Sequence, residues 1–363
     1  MKYRMDRENP KKAYLQLYEQ LRADIVGGVL PYGSRLPSKR LLSEEVGVSV
    51  ITVEHSYALL CEEGYVDSRE RSGYFVIYRE EELFSPAPLF VPLREESPSE
   101  AEDREDGFPF SLYAKKVRKV LSQYGPRLFS KGSRYGCMEL RSALSGYLAR
   151  ARGIFATPEQ IVIGSGAEYF YGSAVRLLGR ERCYGVEDPS YAQITGAYRS
   201  LGVETELLPL RSDGIDSAAL LSARADVLHV TPYQSFPSGA SASASKKREY
   251  LRWAEKKEGR YLVEDDFQSE FTLSRKPEDT LFALSASQNV IYLNTFSKTV
   301  SPSIRVSYMV LPSALLAQFE ERSGVISCPV PLLEQLVLAE LISDGDFERH
   351  INRVRRNRRR RTK

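Results

Sequence analysis

The sequence predicts an α/β protein, with a mainly parallel sheet covered by helices and a small separate unit of short helices and a hairpin ahead of it. Three observations carry this. Lys11 to Tyr78 holds short helical periodicities stopped by glycines, residues 79–107 are rich in proline and acidic side chains, and from Phe108 short apolar runs alternate with helix-length segments. The expected division is therefore 1–78, a linker over 79–107, and a large unit over 108–363.

A length of 363 residues leaves room for two or three domains, and 42% hydrophobic residues is ordinary for a globular protein. No run of about eighteen apolar residues occurs, and Met1 is followed by Lys2, Arg4, Asp6, Arg7 and Glu8, which is not a signal peptide. A cytoplasmic location is expected. Cys61, Cys137, Cys183 and Cys328 are too scattered for a disulfide framework, and His55, His229 and His350 add no ligand cluster, so no metal site is expected. The net charge of +3 misleads as a nucleic-acid signal, because Arg349 to Lys363 carry nine basic side chains and no acidic one. The remainder is net negative.

In the first unit, Tyr14, Leu15, Leu17, Tyr18, Leu21, Ile25 and Val26 recur at helical spacing up to Gly27-Gly28. Leu36-Pro37-Ser38 then supplies a stop and a cap for a helix over Lys39 to Glu45. Gly47 permits a tight turn, and Ser49 caps a helix running to about Glu62. Two helices joined this way form a helix-turn-helix. Gly64 to Val66 and Gly73 to Val76 read as two strands, and their connection, Asp67 to Ser72 with Arg69 and Arg71, reads as a wing.

The motifs Gly33-Ser34-Arg35-Leu36-Pro37-Ser38, Gly47-Val48-Ser49-x-x-Thr52-Val53, Glu63-Gly64-Tyr65 and Ser72-Gly73-Tyr74-Phe75-Val76 resemble the GntR family of winged helix-turn-helix repressors. The resemblance implies that Arg35, Lys39, Ser49, Thr52, Arg71 and Gly73 approach phosphates and base edges of operator DNA. The family usually has arginine where this chain has Val50, so one polar contact is missing or moved.

Pro86, Pro88, Pro92 and Pro98 with the acidic run Glu100 to Asp106 make 79–107 a solvated, semi-rigid linker. Beyond it, strands are expected over Gln160 to Gly164, Cys183 to Glu187, Val227 to Val230, Tyr261 to Val263 and Val290 to Asn294. Ligands on such sheets bind at the carboxyl ends of strands, where this chain places its candidate residues. A pyridoxal phosphate site needs a lysine for the aldehyde, a carboxylate for the pyridine nitrogen, an aromatic ring to stack, and hydroxyls, amides and an arginine for the phosphate. Lys298, Asp265 and Tyr191 each follow or end a strand, and Ser165-Gly166-Ala167-Glu168 opens a helix after another, where free amides favour an anion.

The lines Gly136-x-x-x-Leu140-Arg141, Glu187-Asp188-Pro189-x-Tyr191, Phe236-Pro237-Ser238-Gly239, Glu264-Asp265-Asp266, Thr295-Phe296-Ser297-Lys298 and Arg349-His350-Ile351-x-Arg353 resemble class I aminotransferases of fold type I. Joined to the GntR-like head, the chain resembles the MocR/GabR type of regulator. That resemblance implies a PLP-dependent transferase-like large domain with Lys298 as the Schiff-base lysine and Asp265 at the ring nitrogen. It also implies stacking by Tyr191 and a phosphate cradle of Gly166, Ala167, Thr295, Ser297 and Arg305.

Three departures accompany it. Phe267 stands where the family commonly has tyrosine, and Tyr233-Gln234-Ser235 where serine-histidine-glutamine is usual. The resemblance further implies a small C-terminal domain with an arginine for the effector carboxylate, which this sequence lacks; Arg353 to Lys363 reads either as a nucleic-acid-binding tail or, as the resemblance favours, as an exposed helix. The function implied is a pyridoxal phosphate-dependent, homodimeric (domain-swapped, head-to-tail) transcriptional regulator, which binds double-stranded operator DNA and senses a small amino compound as an external aldimine with little or no turnover. The alternatives are a working class I aminotransferase with an accessory DNA-binding domain, and a degenerate fold that binds DNA alone.

Overall fold

The computed structural model describes residues 3–6, 10–70, 72–79, 107–267, 269–272, 279–323 and 327–361. Apart from Arg79 and Gly107, the expected linker lies outside these residues, as does Arg71. The chain forms two compact units, Met1–Glu100 and Ala101–Lys363.

In the first unit, α1 (Ala13–Val26), α2 (Lys39–Val46) and α3 (Val50–Glu62) precede an antiparallel hairpin of β1 (Val66–Arg69) and β2 (Gly73–Val76). Leu17, Leu21 and Ile25 of α1 close on Leu42, Val53, Tyr57 and Leu60, all buried, as the helical spacing requires. The expected caps form. Ser38 Oγ accepts from the Leu41 amide at 3.2 Å, and Ser49 Oγ from the Thr52 amide at 3.1 Å. Gly47 sits at φ 71°, left-handed, which lets the chain turn between α2 and α3.

One boundary differs from expectation. The first arm of the hairpin begins at Val66 and takes in Asp67, Ser68 and Arg69 instead of covering Gly64 to Val66. Gly64, at φ 76°, still belongs to the exit from α3, and Arg69 pairs with Gly73 across the hairpin.

The second unit runs α4 (Phe110–Tyr124), α5 (Met138–Arg152), β3 (Ile161–Gly164), α6 (Ala167–Leu178), β4 (Cys183–Asp188), α7 (Ala192–Ser200), β5 (Glu204–Arg211) and β6 (Gly214–Ile215). It continues through α8 (Ser217–Ser222), β7 (Val227–Val230), α9 (Ala244–Glu255), β8 (Tyr261–Asp265), α10 (Leu281–Leu284), β9 (Val290–Thr295), β10 (Ser307–Val310), α11 (Leu316–Ser323), α12 (Leu332–Ser343) and α13 (Asp346–Arg361). Among the described residues, eight strands form one sheet in the order β3-β10-β9-β8-β7-β4-β5-β6. Strands β9, β8, β7, β4 and β5 are mutually parallel; β10 is antiparallel to β9 and β3, and β6 to β5. The central strands are buried on both faces, with clusters built on Leu140, Leu144 and Leu336 and on Phe170, Tyr198 and Leu293.

All five expected strands form, and three run further than predicted: β4 reaches Asp188, β8 reaches Asp265 and β9 reaches Thr295. Polar residues continue these strands because their neighbours supply ladder partners: Asp265 lies opposite Leu293, and Thr295 opposite Ser307. Strands β5, β6 and β10 were not expected from the sequence. Strand β5 mixes charges and Pro209 into its apolar positions, and β10 is a four-residue run. Cys137 and Cys183 are buried, Cys61 and Cys328 half-buried, and all four are free thiols.

Beneath β8 and β9 lies a buried charge cluster. Arg152 Nη2 donates to Asp266 Oδ2 at 2.5 Å, the Tyr292 hydroxyl donates to the same oxygen at 2.7 Å, and Asp266 has no exposed surface. Glu270, also buried, accepts from Asn294 Nδ2 at 2.8 Å. Burial first, then the negative charge of Asp266, pushes the Glu270 carboxyl up from 4.5 to about 7.

Removing one partner of a buried ion pair leaves the other uncompensated, so Asp266→Ala should cost about 3–5 kcal/mol. Urea unfolding of the purified chain measures this; a midpoint equal to that of the parent contradicts it. Because the folded pKa of Glu270 lies above the unfolded value, its stabilising protonation is complete below about pH 4.5 and lost as pH rises through about 7. Glu270→Gln should flatten the fall in urea midpoint across that window. An unchanged slope contradicts the assignment.

Candidate functional site

In the N-terminal unit, Arg35 is exposed and bridges to Phe75 of β2, with its guanidinium against Gly73: a Cβ on that glycine would meet Arg35 Nε at 3.0 Å. Arg35 and Gly73 are thus brought together beside the hairpin. Lys39 is half-exposed, and its ammonium bonds Glu54 Oε1 at 2.7 Å. Ser49 and Thr52 share a hydroxyl contact of 2.9 Å at the start of α3. Val50 and Ile51 beside them are 41% and 64% exposed, so the start of α3 presents apolar surface where the resembled family usually has an arginine. Such surface suits the thymine methyl group.

In the second unit, the register of three strands defines the site. Ser307, the first residue of β10, lies opposite both Thr295 at the end of β9 and Gly164 at the end of β3. The Lys298 loop, the Ser165-Gly166 turn and Arg305 therefore meet at one sheet edge, and Asp265 ends β8 next to it. A cavity of about 500 Å³ opens there, lined by Ala167, Tyr191, Asp265, Thr295, Ser297, Lys298 and Arg305. Seven of the eight expected cofactor residues thus share one wall system. Gly166 stands just behind it, at φ 86°, where a Cβ would meet Arg305 Nη2 at 2.6 Å. The positive φ favours glycine here, and a side chain would push the arginine aside.

The loop between β9 and β10 is pinned from within. The Ser297 amide donates to Thr295 Oγ1 at 3.2 Å, and Ser297 Oγ donates to the Ile304 carbonyl at 3.1 Å. Lys298, on the exposed side of this loop, faces the cavity. Arg305 Nη2 bonds Glu168 Oε2 at 2.9 Å, and both side chains are about half exposed.

Asp265 is buried. The Tyr171 hydroxyl donates to its Oδ2 at 2.7 Å, and His229 Nε2 lies 3.4 Å from the same oxygen. Both contacts use Oδ2, so Oδ1 carries neither. His229 Nδ1 meets the Tyr198 hydroxyl at 2.9 Å, which fixes the ring from behind. Tyr191, at the start of α7, stands edge-on to Phe236 with ring centroids 5.9 Å apart. Phe267 lines the cavity without a hydroxyl to donate.

Several lining or supporting residues had no role in the sequence reading: Tyr171, Gln193, Ile194, His229 and Phe236. Tyr171 falls one helical turn after Ala167, a spacing that points both into the same space and could have signalled it. His229 sat inside an apolar strand with nothing local to mark it.

Glu187, the penultimate residue of β4, accepts from the Thr231 amide at 3.2 Å and from Ser235 Oγ at 2.7 Å, and so ties down the segment bearing Phe236. Burial raises its pKa, against those donors.

The family described as "Bacterial regulatory proteins, gntR family" matches residues 13–76, and "Aminotransferase class I and II" matches residues 112–363. An uncharacterized HTH-type transcriptional regulator, YdeL of Bacillus subtilis, is 32% identical over 94% of this chain and 76% of its own length. The probable rhizopine catabolism regulatory protein MocR of Rhizobium meliloti is 29% identical over 97% of this chain and 76% of its own. Among solved structures, the α-aminoadipate aminotransferase LysN of Thermus thermophilus, complexed with N-(5'-phosphopyridoxyl)-L-leucine, superposes with a TM-score of 0.59 at 27% identity, covering 69% of this chain. The chain spans 64% of that enzyme's length. With the winged helix-turn-helix, the mainly parallel sheet and both family matches in place, the chain belongs to the GntR-type HTH transcriptional regulators that carry an aminotransferase class I and II domain.

Proposed function

We propose that the chain is a pyridoxal phosphate-dependent, DNA-binding transcriptional regulator whose cavity senses a primary amino compound. The observation that carries this is the convergence of Lys298, Asp265 and Arg305, from three separate stretches of sequence, on one cavity in a chain with a winged helix-turn-helix head. The residues fit the cofactor. Gly166, at φ 86° beside Arg305, opens an anion cradle at the start of α6, and a buried carboxylate, Asp265, lines the same cavity.

When bound, pyridoxal phosphate supplies an aldehyde carbon that condenses with primary amines and a pyridine ring that withdraws electrons. Lys298 would offer its amine at that carbon. Asp265, held by the Tyr171 hydroxyl at Oδ2, would keep a proton on the ring nitrogen. Gly166, Ala167, Thr295, Ser297 and Arg305 would hold the phosphate, and Tyr191 would cover the ring face. The apolar Phe267 leaves the phenolate side of the ring without the donor that a hydroxyl would give, which disfavours efficient transamination and suits a binding role. LysN, whose structure holds a phosphopyridoxyl amino acid, supports a cavity able to take both cofactor and amine.

In the head, Arg35, Lys39, Ser49, Thr52, Arg71 and Gly73 would meet phosphates and base edges, with Val50 and Ile51 against base methyl groups. A two-fold operator calls for a homodimer, and a protein that meets its operator works in the cytoplasm. For the amino compound to regulate, it must favour one arrangement of the protein over another.

Absorbance spectroscopy of the purified chain tests this. A cofactor band that shifts on adding amines, and that is lost in Lys298→Ala, is expected alongside an amine-dependent change in operator affinity at fixed salt. Absence of the band rejects the cavity as a cofactor site. Multiple-turnover formation of keto acid favours the aminotransferase reading instead.

A further inference from the structure

The phosphate cradle proposed above already holds an anion of the chain's own. Glu168 is the second residue of α6, so its carboxylate lies where the free amides and helix dipole attract negative charge. Its Oε2 bonds Arg305 Nη2 at 2.9 Å and lies 3.0 Å from the position a Cβ would take on Gly166. Glu168 also lines the cavity that contains Lys298 and Asp265. Three measures, a bond, an approach and a shared wall, put one carboxylate over the glycine and the arginine that the phosphate would use.

We infer that Glu168 is a built-in competitor of the cofactor phosphate, occupying Arg305 until the phosphate displaces it. This rests on the cofactor reading of the cavity. Phosphate binding breaks the Glu168–Arg305 pair and leaves a carboxylate near a second anion, with Lys298 and Arg305 as the cations that face both and Asp265 as the further carboxylate of the cavity. The pair is about half exposed, so its own strength is modest and the site stays open to phosphate. Loading therefore falls short of what an uncontested cradle would reach at the same cofactor concentration. Cofactor supply, as well as the amino compound, then sets how much of the protein is loaded.

A helix-stabilising acid at the same place would have a different signature. Removing it would weaken α6 without strengthening phosphate binding.

Equilibrium titration of the cofactor-stripped full chain separates the two, using pyridoxal phosphate, pyridoxal and inorganic phosphate with Glu168→Gln and Glu168→Ala. Both variants should bind pyridoxal phosphate about threefold to tenfold tighter than the parent, the range that one lost ion pair and one lost repulsion span. Inorganic phosphate should compete more strongly in both, while affinity for pyridoxal, which lacks the phosphate, stays unchanged. Unchanged or weaker binding of pyridoxal phosphate in both variants overturns the proposal, as does an equal gain for pyridoxal. If the parent chain gives no cofactor band in the first place, the cofactor reading fails and the proposal with it; a normal Lys298-dependent band with unmoved affinities rejects the role of Glu168 alone.

Discussion

The site depends on the antiparallel seating of β10 between β3 and β9. In a purely parallel sheet each strand end would present its own turn, and nothing would return a side chain from the far end. Here Ser307 starts β10 opposite the last residues of both neighbours, so Arg305, two residues earlier, is delivered between the Lys298 loop and the Gly166 turn. The Lys298 loop, Arg305 and the start of α6 thereby spring from residues that the backbone ladders hold side by side, Thr295, Ser307 and Gly164. Gly166, at φ 86°, turns the chain into α6 beside that guanidinium, a backbone conformation that favours glycine.

Around this seam the polar groups divide into two layers. Asp266, Arg152, Tyr292 and Glu270 form a buried cluster under the sheet ends, while Asp265, one residue from Asp266, turns to the cavity with Tyr171 and His229 behind it. Alternation along an extended strand places neighbouring aspartates on opposite sides. One therefore serves the fold and the other the ligand space. The cavity itself is mixed in character, with Tyr191, Phe236 and Phe267 as aromatic walls and Lys298, Arg305, Glu168 and Asp265 as its charges.

Much of this was legible in the sequence because the site residues sit in short, strongly patterned segments. Apolar runs of four or five residues named the central strands, and Lys298, Asp265 and Tyr191 could be placed because each ends or follows one. Serine caps and Gly47 marked the helix-turn-helix for the same reason: their chemistry is local. What was not legible is what the fold brings from afar. Strand β10 is four residues long and gains its identity from two partners, β5 hides behind its charges, and His229 acquires its role only when β7 lies beside β8. The pairing of Lys39 with Glu54 and of Arg305 with Glu168 likewise joins residues on different elements, so the resemblance assigned those cations to DNA and phosphate without their resident carboxylates.

A regulator of this kind requires that the cavity and the head share a free energy, and such coupling is reciprocal. The most direct measurement is the affinity of the cofactor-loaded chain for an effector amine, titrated with and without saturating operator DNA at one salt concentration, set beside the operator affinity with and without that amine. The two ratios should be equal and differ from one. Amine affinity that is the same with and without DNA, in a chain that binds both, would contradict it.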